Sequence, residues 1–97
     1  MIVCMIANSA LLVKAKANTE LVVGGNDIVE IENTTCLQTD TVHIVENGTL
    51  VIRNATLKIS EDFGVSIEDQ GKLLLENGNL TGRYIEMTDQ ANLTAIN

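Results

Sequence analysis

The stretch Gly48-Thr49-Leu50-Val51-Ile52-Arg53-Asn54-Ala55-Thr56-Leu57 decides how this 97-residue chain is read. A looser copy, Gly71-Lys72-Leu73-Leu74-Leu75-Glu76-Asn77-Gly78-Asn79-Leu80, begins 23 residues later. In both, two aliphatics alternate with other residues, an Asn follows two positions on, and a Leu comes three beyond it. The alternation is the period-two mark of a strand with one buried face. Its recurrence at a fixed interval marks a repeat, in which each unit buries its apolar face against the next.

Outward from these copies, shifts of 21, 23 and 20 residues bring four segments into register. Leu21, Val42, Val65 and Ile85 share one column, and Val23, Ile44, Ile67 and Met87 the column two positions on. Val29, Leu50, Leu73 and Leu93 form a third, and Ile31, Ile52, Leu75 and Ala95 a fourth; Cys36, Leu57 and Leu80 follow later in each segment. Each segment therefore predicts two strands joined by an Asn-Gly or Gln-Gly corner. Gly48 and Gly71 are expected to take φ > 0 there. A third strand is expected around Leu57-Lys58-Ile59.

This pattern predicts an all-β fold, a right-handed single-stranded parallel β-helix of about four coils of 20–23 residues. Coils in such a stack lie ~4.8 Å apart, so like residues sit on like. The Asn column, Asn33, Asn54, Asn77 and Asn97, is then expected as a buried ladder of amides hydrogen-bonded from coil to coil. A leucine-rich repeat has a similar period but a different Leu-to-Asn spacing. A hexapeptide helix needs an 18-residue coil and does not tolerate the inserted Glu61-Asp62-Phe63-Gly64.

Over Leu21 to Asn97 the chain resembles the repeat region of secreted right-handed parallel β-helix proteins, the pectate-lyase-like solenoids, with G-x-L-x-I-x-N as the carrying motif. Enzymes of that fold would imply acidic calcium ligands with a catalytic Arg or Lys, or paired aspartates with Asn-Thr-Asp and Gly-His-Gly motifs. Neither motif occurs here.

Composition narrows the function. The chain has no Trp or Pro, one Phe (Phe63) and one Tyr (Tyr84), so its core must be built from Val, Ile, Leu and Ala. A net charge of −7 argues against nucleic acid and anionic membranes, which both demand a Lys/Arg footprint. The apolar run Ile2 to Val13, followed by Ala15-Lys16-Ala17, reads as a signal peptide over residues 1–17. It is too short for a membrane span. Residues 18–97 are then the β-helix segment, with Cys36 left alone as a core residue. Because Asn97 falls in mid-coil with no polar cap after it, the segment is expected to be truncated at its C-terminus, or to self-associate through open solenoid ends.

Few residues suggest chemistry. The outward columns Glu30, Val51, Leu74, Thr94 and Glu32, Arg53, Glu76, Ile96 hold no catalytic set, although Arg53 between two Glu reads as a cross-coil ion pair. His43 is the only imidazole, with Val22, Ser66 and Glu86 in its column. Glu46, Asp69 and Asp89 share a column beside Asn26, Asn47, Gln70 and Gln90, an acidic ridge that is a candidate for Ca²⁺. Five Asn-x-Ser/Thr sequons occur; Asn47, Asn79 and Asn92 are the expected glycosylation acceptors, whereas Asn33 and Asn54 are expected to be buried. The expected function is a non-enzymatic, secreted or cell-surface β-solenoid segment with a structural or adhesive role, binding a polysaccharide or another cell-surface ligand. The alternative is a fragment of a polysaccharide lyase or glycoside hydrolase whose catalytic coils lie outside this chain.

Overall fold

Alternating aliphatics form the strands of the computed structural model, which describes residues 2–6, 21–38 and 40–96. After β1 (Ile2–Ile6), the chain winds through β2 (Leu21–Val23), β3 (Ile28–Glu32) and β4 (Thr34–Gln38) as a first coil. The second is β5 (Val42–Ile44), β6 (Thr49–Arg53) and β7 (Thr56–Ile59). The third is β8 (Val65–Ile67), β9 (Lys72–Glu76) and β10 (Asn79–Thr81), and the fourth has β11 (Ile85–Met87) and β12 (Asn92–Ile96). Three four-stranded sheets result, ordered β1-β4-β7-β10, β2-β5-β8-β11 and β3-β6-β9-β12. All pairs between coils are parallel, which makes the chain a parallel β-solenoid of about four turns.

Registers follow the columns read from the sequence. Leu21 pairs with Val42, Val42 with Val65 and Val65 with Ile85. Ile31 pairs with Ile52, Ile52 with Leu75 and Leu75 with Ala95. The third strand of each coil carries Cys36 against Leu57 and Leu57 against Leu80. Inside, Val42, Ile44, Leu50, Ile52, Leu57, Val65, Ile67 and Leu73 are buried in one cluster, with Phe63 and Leu75 packed against it. Each such side chain withdrawn from water contributes ~1.5–3 kcal/mol before entropy is set against it. In a core almost without aromatics, that sum over columns holds the coils together.

The first corner differs from expectation. Positive φ falls on Glu46, Asp69 and Asp89, at 53°, 56° and 57°, and on Gly25 at 60°, two residues before the position of Gly48 and Gly71. Gly48 is required for a different reason: a Cβ there would collide with the carbonyl oxygen of Val23 in the coil before. At Gly71 it would lie 2.7 Å from the Ile44 carbonyl oxygen. The chain crosses so close to its neighbour that only hydrogen fits, while the acids take the left-handed turn and use their side chains as described below.

The N-terminal stretch contributes backbone to the stack. Ile2–Ile6 runs antiparallel along the free edge of β4, with Cys4 opposite Cys36. Cys36 is buried in the core, as expected, but it is disulfide-bonded and not a free thiol. The remainder of the stretch read as a leader, residues 7–20, lies outside the described residues, as does Asn97. At the N-terminal end Leu21, Val23 and Ile31 are as buried as their counterparts in the middle coils, and β2 and β3 are the outer strands of their sheets.

Replacing Gly48 by Ala is expected to lower the unfolding free energy by about 1–3 kcal/mol, the range for overpacking a tight site. Gly25→Asn, at a left-handed position with open space around it, is expected to be close to neutral. Urea denaturation followed by circular dichroism separates the two.

Candidate functional site

Three polar columns line the outside of the solenoid. At the first corner of each coil, turns closed by Gly48 N–H to Val45 O (2.9 Å) and Gly71 N–H to Glu68 O (2.9 Å) carry the acids outward. The Glu46 carboxylate accepts from the backbone N–H of Gly25 at 3.1 Å, and the Asp69 carboxylate accepts from the N–H of Glu46 at 3.1 Å. Each acid thus holds the coil before it, and each satisfies an amide that the turn leaves without a ladder partner. Gln70 Nε2 donates to Gln90 Oε1 at 3.1 Å one column along. Glu46, Asn47, Asp69, Gln70, Asp89 and Gln90 together line an open cleft of about 580 Å³.

Two of the three acids named for Ca²⁺, Glu46 and Asp69, are hydrogen-bonded to the corner of the preceding coil. Among the described residues no group of three or more His, Cys, Asp or Glu is placed to hold a metal ion. Glu46 and Asp69 direct carboxylate oxygens at backbone amides one coil away.

The Asn column stands at the second corner. Asn33, Asn54 and Asn77 have φ of 52°, 50° and 53° and are exposed, where a buried ladder was expected. Their main-chain N–H groups make the link between coils: Asn33 to Arg53 O (3.1 Å), Asn54 to Glu76 O (2.9 Å) and Asn77 to Ile96 O (2.8 Å). Among the described residues no side-chain hydrogen bond joins the three amides. Asn recurs because it tolerates the left-handed conformation better than any residue except Gly, and that conformation turns its side chain out to water. Asn97 lies outside the described residues. The exposed side chains of Asn33, Asn54 and Asn79, with neighbouring Thr, line a polar cleft of about 520 Å³. Sequons at Asn33 and Asn54 are consequently as open to solvent as those at Asn47, Asn79 and Asn92.

The third column holds the ion pairs that the sequence suggested. Arg53 lies in register with Glu32 below and Glu76 above. Its Nε donates to Glu76 Oε2 at 2.8 Å and its Nη1 to Glu32 Oε1 at 2.8 Å, with Glu30 Oε2 at 3.7 Å. The hydrogen bond to Glu76, and then its charge, hold the guanidinium above its ordinary pKa. Because Arg53, Glu32 and Glu76 are each a little over a third exposed and Glu30 about half, the network gives alignment more than strength. His43 stands in register between Val22 and Ser66 as expected, with Glu86 beyond Ser66.

No family model, curated protein or solved structure matches this chain. No helix among the described residues is long and apolar enough to cross a membrane.

Two substitutions test these columns. Asn54→Gly is expected to leave stability within about 0.5 kcal/mol, because Gly accepts φ > 0 freely, whereas Asn54→Val is expected to cost about 1–2 kcal/mol. A large loss in the Gly variant would show instead that the amide side chain binds the coils. Arg53→Met is expected to cause a small loss of stability that shrinks in 1 M salt; a loss that ignores salt would contradict the ion-pair reading.

Proposed function

We propose that this chain is a non-enzymatic structural or adhesive β-solenoid segment, acting outside the cell and binding a polysaccharide or another repetitive surface polymer. The observation that carries this reading is the cleft at the first corner. There Asn47, Gln70 and Gln90 repeat hydrogen-bonding amides at the coil interval, beside acids already engaged with backbone. A row of amides spaced ~4.8 Å apart offers the same donor and acceptor pair again and again. A polymer of hydroxylated units presents complementary groups along its own length, so weak contacts add along the row by multivalency. The disulfide at Cys36, a bond that persists in oxidising compartments, supports export.

The reading is tested by binding of the full chain to a polysaccharide panel. The triple variant Asn47→Ala, Gln70→Ala, Gln90→Ala is expected to lose retention on whichever polymer binds, with the β spectrum unchanged. Cleavage of a polysaccharide by the wild-type chain would favour the lyase or hydrolase alternative.

A further inference from the structure

Cys36 is wholly buried on β4, yet it is disulfide-bonded. A thiol on another molecule could not reach it without opening the fold, so its partner comes from within the chain. The sequence holds one other cysteine, Cys4, which stands directly opposite Cys36 in the antiparallel pairing of β1 with β4. Directly opposed residues of an antiparallel pair share a face of the sheet, with Cα atoms ~4.5–5.5 Å apart. A disulfide spans ~4.4–6.8 Å between Cα atoms, so this register suits one.

The first coil is closed in the same region. Thr34, Cys36 and Gln38 on the inward face of β4 are 8%, 0% and 0% exposed, and Ile6, Cys4 and Ile2 are their register partners. Leu21 and Val23 are buried as well, although β2 is the outer strand of its sheet. Ile85 and Met87, which end the same two columns in the fourth coil, are 46% and 43% exposed. The cover over the first coil is therefore chain ahead of Leu21 and not another coil. β4 itself, Thr-Thr-Cys-Leu-Gln, carries no charge or proline, the usual devices that keep an edge strand from pairing, and β1 occupies that edge.

We propose that Cys36 is bonded to Cys4 and that β1 is a covalently held strap of the folded protein, where the sequence suggested a leader removed after residue 17. This inference does not depend on the ligand proposed above. Removing residues 1–17 would take Cys4 away, leave a buried thiol at Cys36 and strip the edge of β4. Forming the bond takes two electrons and two protons from the two thiols; a disulfide oxidant accepts them and leaves as two thiols. A dithiol reverses the step and frees β1. The strap thus makes the N-terminal end of the stack responsive to redox conditions.

Trypsin cuts after Lys14, Lys16 and Arg53, and no other Lys or Arg lies between them. The full 97-residue chain, re-oxidised with a glutathione pair, alkylated and digested unfolded without reductant, is expected to release residues 1–14 joined to residues 17–53. Two copies of residues 17–53 joined to each other, or both cysteines alkylated, would overturn the assignment. Dithiothreitol is expected to lower the Tm of the oxidised chain by roughly 10 °C and to speed hydrogen exchange in β4. Cys4→Ser is expected to match the reduced chain and to ignore dithiothreitol; should it fail to fold, the reduced wild-type chain gives the same reading. A midpoint and a β4 exchange rate that reduction leaves unchanged would count against a strap. Produced in a secreting host, the chain is expected to keep residues 2–17, and a product beginning near Asn18 with Cys36 free would overturn the proposal.

Discussion

Parallel hydrogen bonding between coils sets each residue ~4.8 Å from its counterpart one turn away, and the rest of this structure follows from that proximity. A column must be compatible with itself. Aliphatic columns satisfy the condition by burial, which is why Val42, Val65, Ile44 and Ile67 repeat almost without variation. A column of like charges does not, and the chain answers in two ways. Arg53 separates Glu32 from Glu76 in one column. In the other, Glu46 and Asp69 direct their carboxylates to backbone N–H groups of the preceding coil.

The same closeness governs the corners. Where the chain passes over the Val23 carbonyl, only Gly48 fits; where it must turn left-handed, the residue needs a short polar side chain or a bond that offsets the strain. Corner side chains are therefore directed to solvent or to backbone of the adjacent coil. The outside of the solenoid becomes a set of parallel polar columns with open clefts along the corners.

Both ends obey the rule unequally. At the N-terminal end Leu21, Val23 and Ile31 are buried and the edge of β4 is occupied by β1, while in the fourth coil Ile85, Met87 and Leu93 are exposed. Solenoid stability accumulates by nearest-neighbour contacts, so the last coil lacks on one face the burial that every interior coil has on two.

The strand columns were legible in the sequence because period-two alternation and a repeat of 20–23 residues leave few other ways to bury Leu50, Ile52 and their counterparts. The Arg53 ion pairs were legible for the same reason, since register alone brings residues 21 and 23 positions apart into contact. Backbone geometry at the corners was not. Gly48 and Asn54 are both turn formers in sequence, and nothing local says which supplies close approach and which supplies φ > 0. That assignment depends on where the adjacent coil's carbonyls lie. Nor could composition tell that the acids at Glu46 and Asp69 accept from backbone amides of the preceding coil, that Ile2–Ile6 pairs with β4, or that Cys36 is disulfide-bonded. The sequence by itself determined the column order, because burial of alternating aliphatics is a local pattern repeated. Only the tertiary structure decided what each corner side chain does, because its partner is the backbone of another coil, about 20 residues away along the chain and ~4.8 Å away in space.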